Sequence, residues 1–289
     1  MSHSSPTPNA QHLTPNIEPS ERPLRTRRLL MCAPTAYALK YEINPWMSLH
    51  NTPDLSLADR QWHELYRVLT QEANAEVTLI PQFPDAPDMV FTANAGLVRG
   101  QIAMLAHFRH PERQVEEPHF KAWFEEQGYN VRVPPAGCKF EGEGDALFAS
   151  DILVAGYLKR SDICAHRWLA QELGIQVLSV ELIDDRWYHL DTCFFPLTPD
   201  TVAFHPGAFD PYARDVIRSH FQTIEVTFEE ALRFACNAVV LGDKVVLPAG
   251  CPQLTQALQE RGYTVFSVEL SEFLKAGGAA KCLALHLPQ

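Results

Sequence analysis

The chain has 289 residues, of which 46% are hydrophobic and 20% are charged, a composition typical of globular proteins with one large domain or two modest ones. Its net charge of −11 argues against nucleic acid and anionic membranes as partners. No window approaches the roughly 18 uninterrupted apolar residues that a membrane helix needs. Seven cysteines without a CxxC pair argue against a disulfide framework and a zinc knuckle, so we expect a reducing, cytoplasmic environment.

The N-terminal segment is rich in proline, serine and asparagine and contains too little apolar surface to offset the entropy cost of ordering. It also has no apolar run of the kind found in a secretory signal. We therefore expect residues 1–27 to form a disordered tail, and the folded part of the chain to begin at residue 28.

Three segments share one pattern, in which an amphipathic stretch, a glycine and an apolar run follow one another. The glycines are Gly128, Gly174 and Gly262, and glycine favours the left-handed backbone that ends a helix. The interval from Gly174 to Gly262 is about twice that from Gly128 to Gly174, which leaves room for a further unit at residues 212–228. Residues 60–80 fit the same pattern as an earlier unit.

Predicted hairpins precede these helices, with turns at Arg99-Gly100 and at Gly242-Asp243. The sequence thus predicts five units of hairpin, helix and returning strand. Such units either close around an axis, with strands inside and helices outside, or form an open α/β sheet in which the similarity is accidental. We favour closure.

Polar residues cluster where the predicted hairpins begin, and closure would bring these places together at one face. Polar side chains at the edge of an apolar strand have no packing role, so their recurrence in successive units predicts a site. The segments are residues 43–47, 87–96, 140–148, 188–196, 235–239 and 275–283.

Cys282 is the first candidate for a nucleophile. It follows the glycine- and alanine-rich run 276–280, which lets the backbone approach a ligand closely. Lys281 beside it would be able to stabilise a thiolate. The alternative is a buried structural cysteine, which is what we expect for the other six cysteines.

His189 and Asp191 form an H-x-D pair on a predicted strand, so that both side chains would point to one face. There the histidine would transfer protons and the carboxylate would fix its tautomer, although a strand histidine is more often only hydrogen-bonded. Glu141, Glu143 and Asp145 alternate with glycines, which suits either a pairing with a planar cation or a solvated acidic turn.

Several other chemistries are disfavoured by the sequence. It contains neither of the glycine-rich phosphate-binding motifs and no nucleophile elbow of the serine hydrolase type. Its twelve histidines lack the HExxH spacing or a similar arrangement of metal ligands. We therefore expect no metal and no cofactor.

The polar segments, read in order, resemble the guanidino-modifying enzymes of the pentein superfamily, which include arginine deiminase and dimethylarginine dimethylaminohydrolase. The resemblance spans about residues 28–287 and is greatest to the arginine dihydrolase branch. It implies a five-bladed α/β propeller in which residues 28–289 form a single catalytic domain. The motifs that carry it are INPWM, PDMVFTANAGLV, HPERQVEEPHF, FEGEGDALF, YHLDTCFFPL, ACNAV and LKAGGAAKCL.

The resemblance also implies roles for individual residues. Cys282 matches the nucleophile, His189 the general acid and base, and Glu141 the carboxylate that holds the guanidinium. Asn94 stands where deiminases and dimethylarginine hydrolases usually carry aspartate. The remaining matches are further acidic positions (Asp88, Asp145, Asp191), basic positions expected to hold the substrate α-carboxylate (Arg113, Arg160) and asparagines associated with the dihydrolase branch (Asn44, Asn94).

The reaction implied is hydrolysis of arginine to ornithine, carbon dioxide and two molecules of ammonia. The alternatives are a dimethylarginine dimethylaminohydrolase or an arginine deiminase, both of which stop at citrulline, and a catalytically inactive pentein that serves as a binding module. The expected partner is a guanidino compound, arginine or a methylated arginine, and no nucleic acid or membrane. Assembly into a homo-oligomer is left open.

Overall fold

The strands form five sheets of three strands each. The protein is described by a computed structural model that covers residues 27–149 and 151–288. The sheets have the orders β15-β1-β2, β3-β4-β5, β6-β7-β8, β9-β10-β11 and β12-β13-β14. Their strands are β1 Arg28–Cys32, β2 Glu76–Ile80, β3 Gly96–Arg99, β4 Ile102–Leu105, β5 Asn130–Arg132, β6 Ala146–Ala149, β7 Ile152–Tyr157, β8 Gln176–Glu181, β9 Phe194–Pro196, β10 Thr201–Phe204, β11 Gln222–Glu225, β12 Val239–Leu241, β13 Lys244–Pro248, β14 Thr264–Val268 and β15 Leu285–Leu287.

All five sheets repeat one pairing pattern. The middle strand is antiparallel to one neighbour and parallel to the other. We call the antiparallel neighbours β3, β6, β9, β12 and β15 the leading strands; most of their residues are buried. The β15-β1 pairing, with Arg28 opposite Leu287, places the first and last strands of the described chain in one sheet. The five sheets correspond to the five predicted units.

A helix precedes the third strand of every sheet, as the repeat predicts. These helices are amphipathic and bury one face, as Trp62 and Leu65 do in the first of them. Three further helices are single turns. The helices are α1 Leu55–Arg67, α2 Pro111–Gln114, α3 Glu117–Glu126, α4 Ile163–Leu173, α5 Pro211–His220, α6 Phe228–Ala231, α7 Pro252–Gln259 and α8 Ser271–Leu274.

The predicted boundaries are confirmed where local chemistry sets them. Gly174 caps α4 with a φ of 62°, a conformation that costs a residue with a Cβ atom more than it costs glycine. The hairpin turns contain Gly100 and Gly242, which have φ values of 56° and 68°. At the start of α5 the Asp210 carboxylate accepts hydrogen bonds from the backbone of residues 212 and 213, which satisfies donors that no helical carbonyl can reach.

The buried clusters join neighbouring units rather than single sheets. Leu29 and Met31 of β1 belong to the same cluster as Trp62 of α1 and Val246 of β13. A second cluster joins β4, α3 and β15. Truncating a fully buried leucine such as Leu29 to alanine costs about 2–5 kcal/mol in such a core. This packing fixes the sheets relative to one another.

The cysteines depart from the sequence-based expectation at one pair. Folding brings Cys138 and Cys164, 26 residues apart in sequence, to a Cα separation of 6.1 Å in a disulfide, so the expectation of no disulfide framework is wrong for these two residues. The other cysteines are free and buried. The expected tail lies outside the described residues except for residue 27. In the part of the chain that is described, none of the helices has the length and apolar character to span a membrane.

Candidate active site

A polar or nucleophilic residue stands one to three residues before each of the five leading strands. Short 3₁₀ turns at Thr92–Ala95, Gly142–Gly144 and Leu190–Thr192 hold three of these positions. The turns are in close contact, since a Cβ atom at Gly144 would overlap the amide of a neighbouring asparagine. The five residues are Asn94, Asp145, Asp191, Asn237 and Cys282.

Cys282 is buried between a carboxylate and an amide. Its Sγ atom lies 3.3 Å from Oδ2 of Asp191 and accepts a hydrogen bond from Nδ2 of Asn237 at 3.1 Å. Burial raises the pKa of the Cys282 thiol well above its usual range, and Asp191 raises it further. Burial also raises the pKa of Asp191, to about 7, although the charge of Lys281 lowers it. In the free site at neutral pH, the thiol is therefore protonated.

His189 contacts a different carboxylate. Its Nε2 atom lies 2.7 Å from Oε2 of Glu141, which also accepts a hydrogen bond from Nη1 of Arg160 at 3.1 Å. Burial lowers the pKa of His189 to about 4, although Glu141 raises it, so the imidazole is neutral at pH 7. Burial opposes ionisation of Glu141, but Arg160 and His189 outweigh it and hold its pKa well below the usual range.

The prediction that His189 and Asp191 lie on a strand was therefore wrong. Residues 190–192 form a 3₁₀ turn and β9 starts only at Phe194, so strand alternation does not place His189 and Asp191 on one face. The two side chains instead contact Glu141 and Cys282, respectively. The carboxylate that orients His189 is thus Glu141.

Arg113 and Asn94 connect the acidic groups. Both nitrogens of one edge of the Arg113 guanidinium contact the Glu116 carboxylate at 2.8 Å, and Nη1 donates to Oδ1 of Asn94 at 2.8 Å. Nδ2 of Asn94 donates to the Glu141 carbonyl at 3.1 Å. Burial raises the pKa of Glu116 to about 7, although Arg113 lowers it. Arg113 is buried, and much of its charge is already paired.

A small cavity beside Cys282 has a volume of about 260 Å³, including space open to solvent. Its wall includes Cys282 together with five of the predicted substrate-binding residues: Asn44, Asp88, Asn94, Arg113 and Arg160. Buried Nδ1 of His189 and buried Oδ1 of Asp191 find no hydrogen-bond partner within residues 27–149 and 151–288. A cation with several N–H groups would supply donors to such a site.

The glycine-rich run before Cys282 forms one wall of the cavity. Gly277 has a φ of 82°, and a Cβ atom there would lie 2.7 Å from the Tyr188 hydroxyl, which donates to the Gly277 carbonyl at 2.6 Å. Nδ2 of Asn44 donates to the Ala276 carbonyl at 3.1 Å. Close packing of backbone against Tyr188 and Asn44 therefore shapes this wall, as the glycine content predicts.

A family model described as eukaryotic N,N dimethylarginine dimethylhydrolase matches residues 44–287. The chain belongs to this family. It is 45% identical to the bifunctional arginine dihydrolase/ornithine cyclodeaminase ArgZ of Synechocystis sp., over 91% of this chain and 38% of that protein. It therefore spans about two fifths of that relative. It is 38% identical to the N(G),N(G)-dimethylarginine dimethylaminohydrolase of Mycobacterium tuberculosis, over 93% of this chain and 88% of that one.

Solved structures agree with this assignment to the dimethylarginine dimethylhydrolase family. The N-terminal domain of ArgZ bound to product superimposes with a TM-score of 0.87 at 44% identity, over 91% of this chain and 97% of that one. An asparagine-to-serine variant of the same domain, covalently bonded to a reaction intermediate, gives the same score. A dimethylarginine dimethylaminohydrolase adduct has a TM-score of 0.72 at 22% identity, over 91% of this chain, which shows a shared mixed α/β fold.

Two residues to which the sequence assigned a role in the site, Asp145 and Lys281, do not line the small cavity. Asp145 accepts a hydrogen bond from the Ser161 hydroxyl at 2.6 Å and from the Leu190 amide at 3.2 Å, and burial raises its pKa well above the usual range. Lys281 does not contact the Cys282 sulfur. Its ammonium donates to Glu143 at 2.8 Å and to a backbone carbonyl at 3.0 Å. Both residues support the site from outside the cavity.

Asn237 was not singled out from the sequence. Residues 235–239 were recognised as one of the recurring polar segments, but no residue within them was assigned. The signal was available, because Asn237 stands two residues before β12, and the residues that stand one to three positions before the other leading strands are Asn94, Asp145, Asp191 and Cys282. Recurrence of position identifies it better than residue type does.

A larger cavity lies at the opposite ends of the same leading strands. Its volume is about 1300 Å³, including space open to solvent, and apolar residues such as Val98, Leu147 and Phe195 form most of its wall. Glu143 and Lys281 also line it. Within the described ranges, no group of three or more histidine, cysteine, aspartate or glutamate residues is arranged to hold a metal ion.

Proposed function

We propose that the protein is a cysteine-dependent hydrolase of guanidino C–N bonds that converts arginine to ornithine, carbon dioxide and two molecules of ammonia. The observation that carries the proposal is the Cys282 sulfur, which lies between Asp191 and Asn237 and borders a cavity that is also lined by Asp88, Asn94 and two arginines. The 45% identity with ArgZ supports the arginine substrate.

The first reaction step follows from charge. A guanidinium is a planar, delocalised cation that resists nucleophiles. In the free site, burial and Asp191 disfavour the Cys282 thiolate. A bound guanidinium places a positive charge beside the sulfur, and this charge stabilises the thiolate. The thiol proton passes to His189, whose imidazolium is stabilised by Glu141, and the sulfur adds to the guanidinium carbon. The C–N bond to one terminal nitrogen then breaks as His189 returns the proton to it, which releases ammonia.

The covalent S-amidino intermediate is then hydrolysed. Water adds to the amidino carbon while His189 accepts its proton, the C–S bond breaks, and the departing thiolate takes the proton back. The product of this round is citrulline. In the second round the sulfur adds to the ureido carbon, the second ammonia leaves, and water releases a carbamate. The carbamate loses carbon dioxide and yields ornithine.

Asn94 is proposed to permit the second round. A ureido group is neutral and presents an oxygen, which an aspartate at this position would repel. Nδ2 of Asn94 donates one hydrogen to the Glu141 carbonyl, so its second hydrogen is free to donate to the ureido oxygen. Its Oδ1 atom accepts from Arg113, which holds the amide in this orientation. Arg113 and Arg160 are proposed to bind the α-carboxylate, and Asp88 and Asn44 to complete the wall.

A second candidate reaction is supported by the family match and by the 38% identity with the mycobacterial dimethylarginine dimethylaminohydrolase. In that case the cysteine chemistry is the same, but the leaving group is a methylated amine and the product is citrulline. An arginine deiminase would likewise stop at citrulline. The free thiol and the cavity serve all three reactions, so the substrate and the number of rounds distinguish them.

The fold proposal is a closed five-bladed α/β propeller formed by residues 28–289 as one catalytic domain. Two observations support closure. The starts of all five leading strands contribute to one site, and the β15-β1 pairing joins the last strand to the first. The proposed location is the cytoplasm, and the charge of −11 suits a cationic substrate rather than nucleic acid or membrane.

The test is incubation of the full chain with arginine, citrulline or dimethylarginine in separate reactions, followed by measurement of ammonia, citrulline, ornithine and methylated amine. The proposal predicts ornithine with two ammonia molecules per arginine, and consumption of added citrulline. Accumulation of citrulline from arginine would identify a deiminase. Release of methylated amine from dimethylarginine, with no product from arginine, would identify the second candidate. If none of the three compounds yields a product, the protein is a binding module rather than an enzyme.

A further inference from the structure

Asn237 has no part in the reaction steps described above, yet it is completely buried beside the nucleophile. Nδ2 donates hydrogen bonds to the Cys282 sulfur and to the Asp191 carbonyl, both at 3.1 Å. Oδ1 accepts from the backbone amide of Cys282 at 3.0 Å and from that of Ala279 at 3.2 Å. One side chain thus contacts both the backbone and the sulfur of the nucleophile.

These contacts fix the orientation of the Asn237 amide. An asparagine side chain has two N–H donors and one oxygen with two lone pairs, and all four are used here. Exchanging the oxygen and nitrogen would place N–H groups against the amides of Ala279 and Cys282, and the oxygen against a carbonyl and the sulfur. The geometry therefore requires that an N–H group, rather than an oxygen, points to the Cys282 sulfur.

We propose that Asn237 holds the Cys282 sulfur in place and stabilises its thiolate, a role that rests on the proposed function. The sulfur has the Asp191 carboxylate on one side, which opposes negative charge, and the Asn237 donor on the other. The cation next to it in sequence does not serve this purpose, because the Lys281 ammonium is bound to Glu143 and to the Ala284 carbonyl. A hydrogen bond to a charged group stabilises more than one to a neutral group, so the donor favours the thiolate over the thiol.

The most direct test measures the reactivity of the Cys282 thiol as a function of pH. The full chain would be alkylated with iodoacetamide, and modification of the Cys282 peptide followed by mass spectrometry. Asn237→Ala should slow alkylation and turnover about 10- to 100-fold at neutral pH, the value of one hydrogen bond to a charged group, and shift both profiles to higher pH. High pH should restore much of the lost rate.

Asn237→Asp is the second variant, because it keeps the shape of the side chain and the acceptor for the backbone amides. It replaces the donor by an oxygen and adds a charge beside the sulfur, so its alkylation profile should shift further than that of the alanine variant. Gln61→Ala is the matched control. Gln61 is also a buried amide, with hydrogen bonds to Ser271 at 2.8 Å and to the Glu272 amide at 3.0 Å. Its variant should lose stability and keep the alkylation profile of the wild type.

Unchanged pH profiles in a folded Asn237→Asp protein would overturn the proposal, whether or not turnover fell. The same profile shift in Gln61→Ala would also overturn it, since the shift would then report general loosening. Alkylation needs no turnover, so this experiment is separate from the proposed function. If the chain fails to hydrolyse arginine but the Asn237 variants still shift the alkylation profile, the role of Asn237 stands and only the proposed substrate is wrong.

Discussion

The two ends of the leading strands differ in almost every property. At the ends where these strands begin, a cavity of about 260 Å³ is lined by Cys282 and by polar side chains such as Asn94 and Arg160. At the opposite ends of the same strands, a cavity of about 1300 Å³ is lined mainly by apolar residues. Lys281 lines the large cavity, while its neighbour Cys282 lines the small one. The chemistry proposed for this protein lies at the ends where the strands begin, and there 3₁₀ turns hold three of the five side chains.

The largest effect should come from Cys282→Ser, at the polar end. A serine hydroxyl is barely ionised under these conditions, so ornithine and citrulline formation from arginine should be abolished while the melting temperature stays close to that of the wild type. Cys251→Ser is the matched control, because Cys251 is also a free, buried cysteine but lies at the start of α7. If the Cys282→Ser protein still hydrolyses arginine, Cys282 is not the nucleophile and the reaction does not occur at this end of the strands.

His189→Ala should reduce kcat about 10²- to 10⁴-fold, the usual contribution of a general acid and base, with a smaller effect on KM. His166 provides the control. It is also buried, with its pKa lowered to about 4 by burial, but it contacts Ser179 and the Gly156 carbonyl rather than the site. His166→Ala should affect stability alone. The measurement is the kcat and KM of both variants at neutral pH. If kcat falls equally in the two variants, His189 has a structural role and is not the general acid and base.

The buried Lys281–Glu143 pair lies beside the large cavity, and its contribution to stability can be measured. Lys281→Met removes the buried ammonium of the pair and leaves the Glu143 carboxylate with His286 as its remaining partner. It should lower the free energy of unfolding by about 3–5 kcal/mol, whereas the double variant Lys281→Met, Glu143→Gln should recover part of that loss. Denaturant unfolding of the three proteins measures both effects. Equal stability of the single and double variants would contradict the pairing.

The same pair predicts a pH dependence. Burial opposes ionisation of Glu143, but Lys281 and His286 outweigh it and lower its pKa from the ordinary 4.5 to about 2 in the folded protein. Because the folded-state pKa is the lower one, the pair stabilises the fold above pH 4.5 and this contribution is lost as the pH falls towards 2. The stability difference between wild type and the double variant should therefore shrink across this window.

Asn94→Asp should have the smallest effect on total turnover and act mainly on the product. The new carboxylate would face Arg113, keep the cationic guanidinium bound and repel the ureido oxygen, so that citrulline rises relative to ornithine. The ratio is measured at matched conversion of arginine. Arg99→Ala, at the open end, should leave the ratio unchanged. If wild type makes ornithine and Asn94→Asp makes as much, the role assigned to Asn94 is wrong and the reaction stands.

The features of the fold that depend on local backbone conformation could be predicted from the sequence. Glycine at 128, 174 and 262 follows the helices, and the hairpins turn at Gly100 and Gly242, because only the residue itself determines these conformations. The polar segments of the candidate site could be recognised in the sequence as well, because their positions recur. Partners separated by many residues were not predictable in the same way: His189 contacts Glu141 rather than Asp191, and Cys138 bonds to Cys164. Those pairings depend on how neighbouring units pack.

The most direct measurement is the mass of the covalent intermediate. The full chain would be mixed with arginine labelled at the guanidino carbon, quenched in acid during turnover, digested and examined by peptide mass spectrometry. If Cys282 is the nucleophile, the peptide that contains it should carry labelled substrate less one ammonia, and the same peptide of Cys282→Ser should carry no label. A labelled adduct on any other side chain, or continued turnover by Cys282→Ser, would contradict the claim that chemistry occurs where the leading strands begin.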